Sequence, residues 1–422
     1  MPGDLPASLL PSRSPYGPRR SEAPVIASPH VSARMIPVAR PLMPGSTRLM
    51  PYLQQIDQSR VYSNFGPLVR SLEARLAAHF AMPIGSVLTV ANATLGLTLA
   101  LQALGAPKGS LCLLPSWTFA ASAHAAVMAG LRPYFFDVDP ETWALLPDMA
   151  LHALESRTNR QIGAVMPVAP FGHPIDIAAW DRFAERTRVA VVIDAAAGFD
   201  ALRPGITPAV VSLHATKVLG AGEGGFVVTR DKHIIAEIQR RSNFGFSGAR
   251  EARVISTNAK MSEYSAAIGL ASLDAWDETR ARFHAVARAY RAGMAGVPGV
   301  ELQSGYGTDW VSTTCIAKFT NPGLPSVDTI AGKLAAQGVD TRRWWPRVLP
   351  EETAFERFGH DRTPVGIELS DRTLGLPCFV DLADDQVACI TAAIAAAIGA
   401  PAVRAGQSGR RRQQHLAAEM AS

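Results

Sequence analysis

Lysine is scarce in this chain. Its 422 residues hold six lysines against 35 arginines, so positive charge as such is supplied by arginine. Arginine neither forms a Schiff base nor readily shuttles a proton, so a well-placed lysine points to amine chemistry. Cysteine is rarer still. The four (Cys112, Cys315, Cys378 and Cys389) form no C-x-x-C, and even the nearest two lack zinc-ligand spacing. Buried structural thiols in a reducing compartment are expected. No apolar run approaches the ~20 residues that span a bilayer, which predicts a soluble, cytoplasmic protein with no membrane partner. Met1 to Met35 lacks the basic start and apolar core of a secretory signal. Seven prolines interrupt it instead, which predicts a flexible tail.

Net charge in the body of the chain is also nearly absent. The formal net charge is +5. Residues 1–40 contribute five arginines against Asp4 and Glu22, or +3, and residues 401–422 four arginines against Glu419, again +3. The remaining 360 residues therefore sum to −1. The basic character belongs to the tails, where Arg410, Arg411 and Arg412 read as a solvated run rather than a nucleic-acid surface.

From Asn64 to Phe80 the chain reads as a helix, with Pro67 at a first helical position. Leu68, Leu72, Leu76 and Phe80 make its apolar face. Strands and helices then alternate. SVLTV, LCLLP, RPYFFDV, IGAVMPVA and VAVVID are near-continuous apolar strands separated by helical segments, which predicts an α/β fold with a mostly parallel sheet between helices. Beyond about Asn258 the pattern changes. A long helical stretch from Met261 to Met294 is followed by the strand TTCIAKFT, the helix VDTIAGKLAAQ stopped by Gly338, the strand VDTRRWW and a last helix from Asp384 to Ile398. The expected organisation is a tail (1–35), a large α/β domain with an N-terminal arm (36–257), a smaller C-terminal α+β domain (258–399) and a basic tail (400–422).

Ligands of such sheets bind at the carboxyl ends of the strands, and the suggestive residues gather there. Thr94 follows VLTV at a helix N-terminus, an anion site or simply a capping position. Phe119 follows LCLLP, where it could stack on a flat ring or fill the core. Asp194 ends VAVVID. Ser212, His214 and Lys217 follow the strand at Val211, in a Gly-rich loop before the next strand. A phosphate on the Thr94 helix, a ring nitrogen on Asp194, a ring face on Phe119 and an aldehyde on Lys217 would together hold pyridoxal phosphate (PLP). The carboxylate would keep the ring an electron sink. The lysine, released by an amine substrate, would move a proton between two carbons, which is transamination.

These motifs resemble the DegT/StrS family of sugar aminotransferases, PLP enzymes of fold type I. The similarity runs from about Met35 to Gly399 through NFGPLVRSLE, ANATLGLTLAL, PSWTFAASAHAAVMAGLRPYFFDVDPET, VVIDAAA, SLHATKVLGAGEGGFVVT and NAKMSEYSAAIGLASL. It implies that Lys217 holds the aldehyde, Asp194 pairs with the pyridine nitrogen and Phe119 stacks on the ring. It further implies that Thr94, Leu95 and Ser212 bind the phosphate, and that Asn258 reaches it from a second subunit of a homodimer with shared active sites. Glu223 lies in the family's EGG segment, in a structural or a catalytic role. One departure is Ala197, where the family usually has Gln or His near the phenolic oxygen. The implied substrates are L-glutamate and a nucleotide-linked keto-sugar.

Arg342, Arg343, Trp344 and Trp345 form a further basic-aromatic cluster, read either as a diphosphate and base contact or as small-domain core. Its similarity to members acting on 4-keto-6-deoxy sugars favours amination at C4, with C3 or a cyclitol ketone as alternatives. Dehydratases of the family replace the lysine by His, and a non-enzymatic sensor would have lost Lys217 or Asp194. Both residues are present.

Overall fold

The computed structural model describes residues 35–156 and 162–400. Of the two expected tails, residues 1–34 and 401–422 lie outside the described residues. The chain opens with helices α1 (Ser46–Ser59) and α2 (Pro67–His79). Strands and helices then alternate through β1 (Val87–Val90), α3 (Ala93–Ala103), β2 (Leu111–Pro115), α4 (Ala120–Met128), β3 (Arg132–Phe136), α5 (Pro147–Ser156), β4 (Ile162–Val165) and α6 (Ile177–Thr187). Next come β5 (Ala190–Val191), β6 (Ile193–Asp194), β7 (Ala209–Ser212), β8 (Gly225–Val228), α7 (Lys232–Ser242), α8 (Glu263–Asp274) and α9 (Trp276–Met294). The remainder is β9 (Val300–Leu302), β10 (Cys315–Phe319), α10 (Val327–Ala336), β11 (Gly359–His360), α11 (Pro364–Arg372), β12 (Thr373–Leu376) and α12 (Asp384–Ala397).

β1-β8-β7-β6 and β11-β3-β2-β4-β5 are hydrogen-bonded in those orders. They are halves of one surface, because β5 and β6 are consecutive pieces of one extended segment. Its Val192 N–H donates to Val165 O on one side, and its Ile193 N–H to Pro208 O on the other. Only β8 runs antiparallel to its neighbours β1 and β7; the other pairs are parallel. Alternate strand residues face opposite cores, as the strand period of two requires. Leu113, Val211 and Phe226 pack with α2, α5, α6, α8 and α9. Cys112, Leu114, Val210 and Val227 pack with α3, α4 and α7. A second, antiparallel sheet, β12-β10-β9, lies toward the C-terminus, where α12 packs on α9 and α10.

Four readings of the sequence are corrected here. Asn64 and Phe65 are not helical: both hold positive φ (64° and 59°), so α2 starts at Pro67. The single helix expected over Met261–Met294 is two, because the chain bends at Ala275 (φ −97°, ψ 5°). VDTRRWW is not a strand. Arg342 exchanges two backbone bonds with Gly375 (3.0 and 2.8 Å), but the chain bends away at Trp344 and only isolated bridges form. Cys389 is exposed, unlike the other three cysteines. Val387, Ile390 and Ile394 carry the buried face of α12, and Cys389 falls on the opposite side.

Glu263 ties α8 to the start of α2. Its carboxylate is fully buried and accepts from Leu68 N–H (2.8 Å) and Val69 N–H (3.0 Å). These are amides at the helix N-terminus that lack intrahelical partners, and a carboxylate there also meets the positive end of the helix dipole. Glu263→Ala should cost about 2–4 kcal/mol, from lost charge-assisted bonds and two stranded donors, and Glu263→Gln less. Urea unfolding midpoints of the two variants check this ranking.

Candidate active site

A cavity of about 420 Å³ opens at the carboxyl ends of the strands. Three turns supply its floor. After β1, Asn92 caps α3, its Oδ1 accepting from Leu95 N–H (2.9 Å). The cap is therefore Asn92 rather than Thr94, which sits in the first turn of α3 and lines the cavity with Ala93. After β2, Phe119 precedes α4 and is 63% exposed, an unusual state for a large apolar ring and one that leaves its face free within the cavity lining. After β7, Ser212, His214, Thr216 and Lys217 line the cavity together. Ser212 Oγ accepts from His214 N–H (3.2 Å). His214 Nδ1 lies 2.8 Å from Thr216 Oγ1, and its Nε2 lies 3.7 Å from Glu223.

Gly225 makes the close approach of β8 to the start of α3 possible. It lies opposite Val90 of β1 and Ser212 of β7. A Cβ there would come within 2.9 Å of both Ala93 N and Val211 O. Both obstacles are backbone, so β8 can approach the N-terminus of α3 only as glycine.

Asp194 ends β6, 4% exposed, with Ser122 Oγ donating to Oδ2 (2.7 Å) and Ala196 N–H donating to Oδ1 (3.1 Å). Burial pushes its carboxyl above the usual carboxylate range, while these two bonds and the Lys217 charge pull it back. Burial pushes the Lys217 amine below the ordinary lysine value, against the pull of Asp194. The floor thus presents one carboxyl and one amine to the same space, both shifted by burial toward their neutral forms.

The walls come from parts of the chain that no local pattern joined to the floor. Arg40 and Leu42 of the N-terminal arm line the cavity, as do Phe171, Thr313, Thr314 and Phe379. Phe171 holds a left-handed φ of 56° and stacks on Trp345 (4.0 Å, 21°). Trp117 meets the same indole edge-on (4.9 Å) and donates from Nε1 to Trp345 O (3.0 Å). Cys378 also lines the cavity. Burial pushes its thiol up to about 12, so it serves as wall and not as nucleophile.

Of the residues singled out from the sequence, Lys217, Asp194, Thr94, Phe119, Ser212 and Trp344 meet at the cavity, as does Ala197. Leu95 does not line it, and its amide is already engaged by Asn92. Arg342 lies over the Trp344 ring (4.9 Å). Arg343 is tied to Asp328 (3.2 Å), Pro346 O and Ser370 O. Neither arginine is among the lining residues. Asn258 is exposed, outside this cavity, and accepts from Lys260 Nζ (2.7 Å). Ser122 carried no signal in the sequence, since a serine in an Ala-rich first turn reads as ordinary helix. Among the described residues no cluster of His, Cys, Asp or Glu could hold a metal, and no helix is long and apolar enough to cross a membrane.

The donor set matches a phosphorylated pyridine aldehyde: a helix N-terminus with hydroxyls, an open aromatic face, a buried carboxylate and a half-buried lysine amine. The model of the DegT/DnrJ/EryC1/StrS aminotransferase family matches residues 46–395. The chain belongs to that family, and is a PLP-dependent aminotransferase of fold type I. Protein Rv3402c of Mycobacterium tuberculosis is 33% identical over 373 residues, covering 85% of this chain and 89% of that protein. The dTDP-4-amino-4,6-dideoxy-D-glucose transaminase of Shigella dysenteriae is 31% identical over 367 residues, covering 85% and 97%. The solved structure of DesI with its TDP-sugar product superposes with a TM-score of 0.77 at 31% identity, covering 87% and 94%.

Gly225→Ala should weaken PLP binding by forcing β8 away from the N-terminus of α3, and should cost about 1–3 kcal/mol of stability as an overpacked site. Absorbance titration of the apoprotein with PLP, beside an unfolding curve, checks both.

Proposed function

We propose that this protein moves an amino group from L-glutamate to the keto group of a nucleotide-linked sugar, and that the sugar is a 4-keto-6-deoxyhexose. The observation that carries the reading is the shared cavity of Lys217 and Asp194 at the strand ends, beside a helix N-terminus able to take a phosphate. PLP supplies an aldehyde to carry the amino group and a ring to draw electrons from the substrate carbon. Lys217 anchors the aldehyde. When free of the aldehyde, its amine would be the proton carrier at the cavity floor. Burial lowers its pKa, the direction that suits an amine taking a proton from one carbon and returning it to the other. Asp194 would meet the ring nitrogen and keep it protonated, and Phe119 would cover one ring face. Thr94 and Ser212 would hold the phosphate. The Trp344 and Trp345 wall receives the sugar nucleotide, with Arg342 and Arg343 behind it.

The choice of C4 and of a 6-deoxy sugar is supported by the name of the Shigella relative and by the TDP-sugar bound to DesI. Amination at C3, or of a cyclitol ketone, is the alternative outcome of the substrate test. We also assign Asn258 to the phosphate of a partner subunit, since it is exposed and outside its own cavity. The sites are then shared within a homodimer. The C-terminal part from residue 258 on, with its own antiparallel sheet, is assigned as the smaller domain.

Adding L-glutamate to the PLP-loaded protein should bleach its yellow band and raise the pyridoxamine band. The amine form should then convert a dTDP-linked 4-keto-6-deoxyhexose to its 4-amino product, read by mass and NMR. Conversion of a 3-keto-sugar or a cyclitol ketone alone would overturn the C4 assignment. Lys217→Ala should lower turnover at least about 10²–10⁴-fold while PLP still binds non-covalently, and Asp194→Asn should slow turnover markedly. Wild-type rates in either variant would refute the assignment. Asn258→Ala should lose PLP faster on dialysis, with light scattering confirming an intact dimer.

A further inference from the structure

We infer that Ser122 is a positioning residue for the ring-nitrogen carboxylate, holding Asp194 ionised and aimed at the cavity. This rests on the reading above, in which Asp194 pairs with the pyridine nitrogen. The geometry is specific. Asp194 receives one bond on each oxygen, Ser122 on Oδ2 at 2.7 Å and the Ala196 amide on Oδ1 at 3.1 Å. Two donors on different oxygens fix the carboxylate plane, and the remaining lone pairs are free for a donor from the cavity. Neither donor carries charge, so neither competes with a cationic N–H for the ion pair.

Ser122 is fully buried. Its other side-chain neighbour is the Thr118 hydroxyl at 3.4 Å. A single hydroxyl proton directed to a carboxylate leaves Ser122 Oγ free to accept from Thr118. The order Thr118 to Ser122 to Asp194 polarises each bond in the same direction. The other charged side chain acting on Asp194 is Lys217, which the chemistry requires to lose its charge, so it cannot hold the carboxylate ionised throughout. Ser122 does not change charge.

Its place in the fold adds a second function. Ser122 stands in the first turn of α4, its own N–H donating to Phe119 O (3.2 Å). One helical turn therefore sets both the ring-stacking side chain and the support of the carboxylate that meets the ring edge. A shift of α4 moves both together.

The experiment compares binding of PLP and of its analogue with C–H in place of the ring nitrogen, by absorbance titration of the apoprotein. Ser122→Ala should weaken PLP about tenfold, the loss expected for one bond to a charged group. It should leave the analogue unchanged, and Ser122→Thr should restore PLP affinity. Equal loss for both ligands, or no loss for either, would overturn the proposal, because a merely structural serine cannot sense the ring nitrogen. If Ser122→Ala does not fold, Ser122→Cys replaces it, with a weaker donor of similar size and a smaller selective loss expected. Asp194→Asn separates the two levels of the argument. If it discriminates between the ligands and Ser122→Ala does not, only the role of Ser122 fails. If Asp194→Asn shows no discrimination, the ring-nitrogen reading fails and this inference falls with it.

Discussion

Burial acts against both charges at the heart of this protein. Asp194 and Lys217 share one cavity floor, and removal from water raises the carboxyl pKa and lowers that of the amine. A buried opposite pair is seldom a stabilising device on its own terms. Here burial shifts both groups toward their neutral forms. The surrounding structure serves to keep that pair in place. β6 and β7 are parallel neighbours, so the turns after them deliver Asp194 and the Lys217 loop to the same rim. Ser122 and the Ala196 amide give the carboxylate the bonds that water would otherwise provide.

The same rim collects the other components by sheet geometry. β1 is separated from β7 by β8, which is antiparallel to both, so β1 points the same way as β7 and α3 starts beside the floor. Gly225 lets that helix terminus approach to backbone contact. The aromatic wall is built differently. Phe171, Trp117 and Trp345 come from three distant stretches of chain and pack edge and face. That packing supports Phe171 in a left-handed conformation that a bulky residue seldom adopts. Backbone strain beside an active site is a common arrangement where surrounding contacts over-determine it.

Much of the fold was legible because periodicity reports burial. Leu68, Leu72 and Leu76 are fully or almost fully buried, and Pro67 does open its helix. The misreadings have separate physical causes. Asn64 and Phe65 extend the apolar pattern but take positive φ, which periodicity does not register. Ala275 breaks a helix without glycine or proline, so no residue type in the sequence marks the bend. TRRWWP has the composition of a strand, yet its tryptophans leave the sheet for the cavity wall. That one cluster divides: Trp344 and Trp345 face the cavity while Arg343 is held by Asp328 and the C-terminal turn of α11. Alternation of residue types cannot distinguish these fates.

The sequence by itself determined the chemistry on offer, through a rare lysine in a Gly-rich loop, an aspartate closing an apolar strand and a helix starting near Thr94. Each depends on a few adjacent residues, and local spacing is what a linear sequence carries. Tertiary structure alone decided that Ser122 supports Asp194 across 72 positions, and that Arg40, Phe171 and Thr314 wall the same cavity. It also decided that Glu263 anchors the start of α2 from 195 positions away. Those contacts arise only when strands stack in register and helices pack on both faces of the sheet, and no periodicity within one segment encodes which distant segment will meet it.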